Sequence, residues 1–199
     1  FTQVPPPTLT ARSIAVVDRD SSVLIYGRNE KLQLLPASTV KIMTGLVTLE
    51  HYQLSDVLTV GKIDKNGQDM KLLEGEKMTV KNLLYGLLVA SANDAALVLA
   101  QNYPGGKLAF IQAMNQKAKD LNLKGTYFAN PTGLDSDNEG KMFTDFSYTT
   151  AFDLAQLAAL ALKKETFLEI TSTRSITISD VDSKIFHQLG NVNQLIGKF

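Results

Sequence analysis

Ser38-Thr39-Val40-Lys41, directly after Leu35-Pro36-Ala37, decides the reading of this chain. Three residues make nearly one helical turn. The hydroxyl of Ser38 and the amine of Lys41 therefore share a face of the helix predicted from Ser38 to Leu49. A serine hydroxyl is a weak nucleophile at neutral pH and needs a neighbour to take its proton. A lysine serves only when burial or nearby cations lower its pKa enough to leave it neutral part of the time. Ile42, Leu46 and Leu49 give the helix an apolar face to bury. A helix start also offers unpaired backbone N–H groups and the positive end of the dipole, both suited to a developing oxyanion. Read alone, the four residues fit a capping serine beside a solvated lysine, so context has to decide.

That context is Ser91-Ala92-Asn93. It follows the apolar run Leu83 to Ala90 and precedes a second one, Asp94 to Ala100. Ser91 and Asn93 are thus expected on a short turn between two helices. Capping alone accounts for such residues, since Ser, Asn and Asp favour helix starts. The chemical alternative is a second hydroxyl that relays a proton and an amide that orients substrate and lysine.

Ser-x-x-Lys followed by Ser-x-Asn resembles the penicillin-recognising serine enzymes, and among them the D-alanyl-D-alanine carboxypeptidases, the low-molecular-mass penicillin-binding proteins. Two later segments, Phe128 to Asp135 and Tyr148 to Leu154, occur in the family's order. The likeness runs from about Ala11 to the last residue. It implies an α/β (α+β) fold of the β-lactamase/transpeptidase type, with a helical cluster packed on an antiparallel sheet. Residues 1–10 are expected to form an extended N-terminal segment. Residues 11–199 are expected to form the N-terminal portion of one DD-peptidase catalytic domain.

The resemblance further implies a serine-type carboxypeptidase acting on peptidoglycan stem peptides that end in D-Ala-D-Ala. Ser38 would form the acyl-enzyme and Lys41 would take its proton. Ser91 would pass a proton to the leaving D-alanine, and Asn93 would hold Lys41 and the substrate amide. β-Lactam antibiotics would acylate the same serine. No metal or cofactor is implied. One departure stands out: the family's Lys-Thr-Gly or Lys-Ser-Gly motif does not occur in these residues. The expectation is that the sheet's later strands, with that motif, belong to a C-terminal part of the same domain that partners this one.

Three rival readings follow. A β-lactamase shares the motifs but needs a further group for the deacylating water, and Glu139 and Glu165 lack the sequence context for it. A non-catalytic binding module, or a catalytically incomplete fragment, agrees with the absent third motif. Ser38, Lys41, Ser91 and Asn93 together argue against it, because a dead site has no physical need of them. A transpeptidase would differ only in acceptor.

Composition supports a globular domain. The chain has 199 residues, 44% of them hydrophobic, enough for a sizeable core. With 20 basic and 20 acidic side chains the net charge is zero, and no basic patch points to nucleic acid. The absence of cysteine excludes disulfides and thiolate metal sites. His51 and His187 read as helix-end or surface residues rather than ligands. Asp135, Asp137 and Glu139 read as a solvated acidic loop that misses EF-hand spacing. Pro104-Gly105-Gly106 reads as a turn and not a phosphate loop.

Phe1 to Pro7 carries neither an initiator methionine nor a signal peptide, and the proline run reads as extended. A removed leader is expected, with an extracytoplasmic location, periplasm or cell surface, and a C-terminal membrane anchor outside these residues.

Along the chain, Ser13 to Val17 and Val23 to Tyr26 read as a hairpin turning at Asp18 to Ser21. Thr79 is expected to cap a helix ending near Ala90. Leu108, Ile111, Met114, Ala118 and Leu121 predict an amphipathic helix over Lys107 to Leu121. Leu154, Leu157, Ala158 and Ala161 mark another, and Arg174 to Ser179 a strand. Phe128 to Leu134 reads as a structural turn near the cleft. A lone hairpin is marginal in water, so its apolar face is expected to need a partner.

Overall fold

Short strands frame a cluster of helices. The computed structural model of the chain describes residues 7–63, 67–134 and 146–198. The acidic loop Asp135 to Glu139 and the leading residues up to Pro6 lie outside the described residues. The hairpin pairs β1 (Ile14–Val17) antiparallel with β2 (Leu24–Arg28), with an irregularity between Val16 and Val17. The Asp18 carboxylate accepts the Ser21 N–H at 2.8 Å and its hydroxyl at 2.6 Å, which closes the expected turn. Val16, Val23 and Ile25 are exposed. Two more antiparallel ribbons follow: β3 (Val57–Thr59) with β4 (Lys77–Thr79), and β5 (Ser175–Ser179) with β6 (Phe186–Gly190). Among the described residues the sheet structure is thus three two-stranded ribbons.

The helices are α1 (Lys41–His51), α2 (Val80–Val89), α3 (Asn93–Gln101), α4 (Gly106–Asp120), α5 (Ala151–Ala161) and α6 (Glu165–Ser172). Thr79 caps α2, its hydroxyl accepting the Asn82 N–H at 3.2 Å. Most of α2 is apolar and buried, so this helix forms the centre rather than a face. Leu83, Leu84 and Leu87 pack with Met70, Met78, Val98 and Leu99 in one cluster. Met43, Leu46, Phe110, Met114, Leu157 and Phe167 form a second, between α1, α4, α5 and α6. Each such side chain contributes roughly 1.5–3 kcal/mol by leaving water. α1 is therefore fixed from beneath by its own apolar stripe, which positions its first residue, Lys41.

Two sequence expectations shift in detail. Helix α4 buries Phe110, Met114 and Ala118, while Leu108 is 76% exposed. Phe110, Met114 and Ala118 lie about 200°, 240° and 280° around the helix from Leu108, so the buried face is centred on Met114 and leaves Leu108 outside it. His187 is neither at a helix end nor on the surface. It lies in β6, where burial alternates, and points inward with Leu189 while Phe186 faces solvent. His51 does end α1 and is exposed.

Candidate active site

Ser38 lies in a single 3-10 turn, Ala37–Val40, and Lys41 opens α1 directly behind it. In a 3-10 turn residues three apart eclipse one another. The serine and lysine therefore face each other even more directly than an α-helix would place them, and Lys41 Nζ stands 3.3 Å from Ser38 Oγ. Ser38 is exposed, whereas Lys41 is only 3% exposed. Burial pushes the amine down from 10.5 to about 8. Nζ also donates to the carbonyl oxygen of Thr132 at 2.8 Å. A carbonyl accepts only. When the amine is neutral, one N–H can point to Thr132, which leaves its lone pair free to take the Ser38 proton. An exposed hydroxyl, a buried amine and a fixed carbonyl are thus arranged as covalent catalysis requires of a serine and its base.

The carbonyl of Thr132 had no sequence signal, since any residue supplies one. The loop that presents it did. Asn130 Oδ1 accepts the N–H groups of Thr132 and Gly133 at 3.0 and 2.7 Å and the Thr132 hydroxyl at 2.9 Å. Thr44 on α1 donates its hydroxyl to Pro131 O at 2.7 Å, so loop and helix are tied beside the lysine. Gly133 has a φ of +78°, and a Cβ built there would run into the carbonyl of Ala37. Gly133→Ala is therefore expected to lower stability by about 2–4 kcal/mol, combining left-handed strain with a backbone clash. Urea denaturation reads this directly. A loss below about 0.5 kcal/mol would show that the 37–38 and 132–133 backbones separate freely.

Ser91 sits on the turn between α2 and α3, as expected, with a φ of 56°. Ser38, Lys41 and Ser91 line one groove of about 380 Å³, whose floor is apolar through Ile42, Leu88 and Phe167. Asn93 does not line that groove. It is the first residue of α3 and is buried, and its N–H donates to Gln68 O at 2.8 Å. The cap position belongs to Ala92, whose side chain cannot cap, so helix capping does not explain Ser91 or Asn93. Asp94 is a residue the sequence reading passed over. Its buried carboxylate accepts from Met70, Leu72 and Ala95 N–H groups and fastens the 67–72 segment to the start of α3. Among the described residues no three His, Cys, Asp or Glu side chains cluster as metal ligands.

Residues 1–198 match the D-alanyl-D-alanine carboxypeptidase family. The chain belongs to it. Among curated relatives of the D-alanyl-D-alanine carboxypeptidase family, DacF of Bacillus subtilis is 35% identical over 193 residues, covering 94% of this chain and 47% of that protein. The chain spans about half the length of the curated relatives DacF and DacD. A D-alanyl-D-alanine carboxypeptidase from Mycobacterium tuberculosis superposes with a TM-score of 0.88 at 29% identity, over 100% of this chain and 72% of that one. A Streptomyces K15 DD-transpeptidase variant superposes with a TM-score of 0.86 at 28% identity, over 98% and 78%. The α+β arrangement expected from the motifs is that of the carboxypeptidase family.

Proposed function

We propose that the protein carrying this chain is a serine-type D-alanyl-D-alanine carboxypeptidase that trims peptidoglycan stem peptides through an acyl-enzyme at Ser38. The observation that carries the reading is Lys41 Nζ, 3.3 Å from Ser38 Oγ and 2.8 Å from Thr132 O. Family membership supports the substrate class.

In this reading neutral Lys41 takes the Ser38 proton as Oγ bonds to the carbonyl carbon of the penultimate D-alanine. The carbonyl electron pair moves to oxygen, where the Ser38 N–H and a second donor hold it. Collapse breaks the peptide bond, and Ser91 hands the proton to the departing amine. Water then adds to the ester, releases the shortened peptide and restores Ser38. Asn93, buried two residues beyond Ser91 at the start of α3, is the amide assigned to orient substrate and lysine from beside the groove. A β-lactam follows the first half and stalls as the ester. In this reading residues 11–199 supply the N-terminal portion of a single DD-peptidase catalytic domain. The group that grips the substrate carboxylate is a Lys-[Ser/Thr]-Gly lysine, a sequence absent from residues 1–199. Such a substrate places the protein outside the cytoplasm, at the cell wall. No described helix is long and apolar enough to cross a membrane.

The deciding experiment offers the full-length protein a peptide ending in D-Ala-D-Ala, and separately a penicillin. One equivalent of D-alanine per peptide and a one-to-one penicillin adduct are expected. Peptide binding with neither D-alanine nor adduct would replace this reading by the non-catalytic module. Rapid penicillin turnover with no D-alanine release would replace it by a β-lactamase.

A further inference from the structure

Beside the Ser91-Ala92-Asn93 turn lies a buried hydrogen-bonded pair that the proposed reaction does not use. His187 Nε2 on β6 is 2.7 Å from Glu76 Oε1, and both side chains are buried. The second ring nitrogen, Nδ1, is 2.8 Å from the carbonyl oxygen of Met70. Because that oxygen only accepts, Nδ1 carries a proton and donates it. Nε2 and the Glu76 carboxyl are then joined by the second ring hydrogen bond. Glu76 Oε2 accepts the Leu73 N–H at 2.9 Å, so both carboxyl oxygens are held.

Met70 is gripped from its other end as well. Its N–H lies 3.1 and 3.2 Å from the two Asp94 oxygens, and Leu72 N–H donates to Asp94 at 3.0 Å. Asp94 directly follows Asn93. The thioether of Met70 fills the space beside Gly86, where a Cβ would meet its sulfur. Gly86 O in turn accepts the Ala92 N–H at 3.0 Å. A second brace follows the same strand, where Val192 N–H donates to Val89 O at 3.1 Å. Ser91 between these anchors holds a positive φ without being glycine. Such a conformation persists only where its surroundings over-determine it.

We infer that His187, seated by Glu76, is a positioning residue for the Ser91-Ala92-Asn93 turn. It fixes Met70, and through Asp94 and Gly86 it holds Ser91 and Asn93 in register with Ser38 and Lys41. The inference rests on the reading of Ser38 as the acylated nucleophile.

The test measures penicillin binding and acylation separately in the full-length protein. His187→Phe breaks both ring hydrogen bonds and is expected to slow acylation about tenfold or more while binding stays within about threefold, the signature of lost orientation. Glu76→Gln can donate to a neutral Nε2 and still accept from Leu73, so its acylation is expected to stay within about threefold of the parent. Parental acylation in His187→Phe overturns the inference, and so does a Glu76→Gln rate as low as that of His187→Phe. If His187→Phe does not fold, His187→Gln keeps a donor toward Met70 but gives up Glu76. An intermediate loss is expected there, and a parental rate overturns the inference equally. A parent that takes up no penicillin would instead sink the reading of Ser38. Amide exchange over residues 91–96 then decides the bracing alone: faster exchange in His187→Phe supports it and unchanged exchange overturns it.

Discussion

Ser38→Ala is expected to leave a folded protein that binds penicillin and forms no covalent adduct, with acylation lowered on the order of 10⁴-fold or more. The magnitude follows from what is removed. Without Oγ there is no atom to bond to the carbonyl carbon, and what remains is water attack assisted by whatever donors face the oxyanion. Stability is expected to move by less than about 0.5 kcal/mol, because Ser38 is exposed and its hydroxyl makes its contact at 3.3 Å, the loose end of hydrogen bonding. Intact mass before and after penicillin gives the answer. An adduct that persists in Ser38→Ala and vanishes in Ser91→Ala would move the nucleophile to the other side of the groove.

How far the sequence led is best judged residue by residue. Ser38 and Lys41 were legible because their spacing forces them together in either helix type, and Ser91 because polar residues interrupt two apolar runs. The hairpin, the Thr79 cap and α5 were legible for the same reason: each rests on local chemistry within a few residues. The lysine's acceptor was not legible. Thr132 O is 91 positions away in sequence, and a backbone carbonyl leaves no mark in composition. Asp94 and Glu76 were hidden because their partners are backbone N–H groups of a loop and a histidine more than a hundred residues on. His187 did carry a signal. The alternation Phe186-His187-Gln188-Leu189 puts it on the face of Leu189, and an inward histidine demands partners. Leu108 misled because it satisfies the spacing yet lies at the edge of the stripe, about 80° around the helix from Ala118 and 120° from Met114, which are buried.

Lys41 carries the second large effect, and there catalysis and stability pull in opposite directions. If the neutral amine is the base, acylation follows its fraction. The rate should rise about tenfold per pH unit below the folded pKa of about 8 and level off above it. Lys41→Met removes the base and is expected to slow acylation by about 10³-fold, within the range for a positioned acid–base group. The same variant should be more stable at pH 7. Burial depresses the folded pKa from 10.5 to about 8, so between those values the unfolded chain binds more protons than the folded one. Stability of the parent therefore rises with pH across that window, and below it the burial penalty acts in full. The shift corresponds to roughly 3 kcal/mol. Loss of the hydrogen bond to Thr132 O offsets part of this, leaving Lys41→Met ahead by about 1–2 kcal/mol at pH 7. The advantage should shrink toward pH 10.5, where the parent amine is losing its proton in both states. Urea midpoints of both proteins at pH 7 and pH 10 separate the cases. A difference that is the same at both pH values would mean that Lys41 does not titrate in this range, and the base would have to be another group. A difference that closes with pH, together with a rate inflection near 8, would tie the cost of burying this amine to the chemistry it performs, because a lysine left in solvent would be cheaper to fold and protonated at neutral pH.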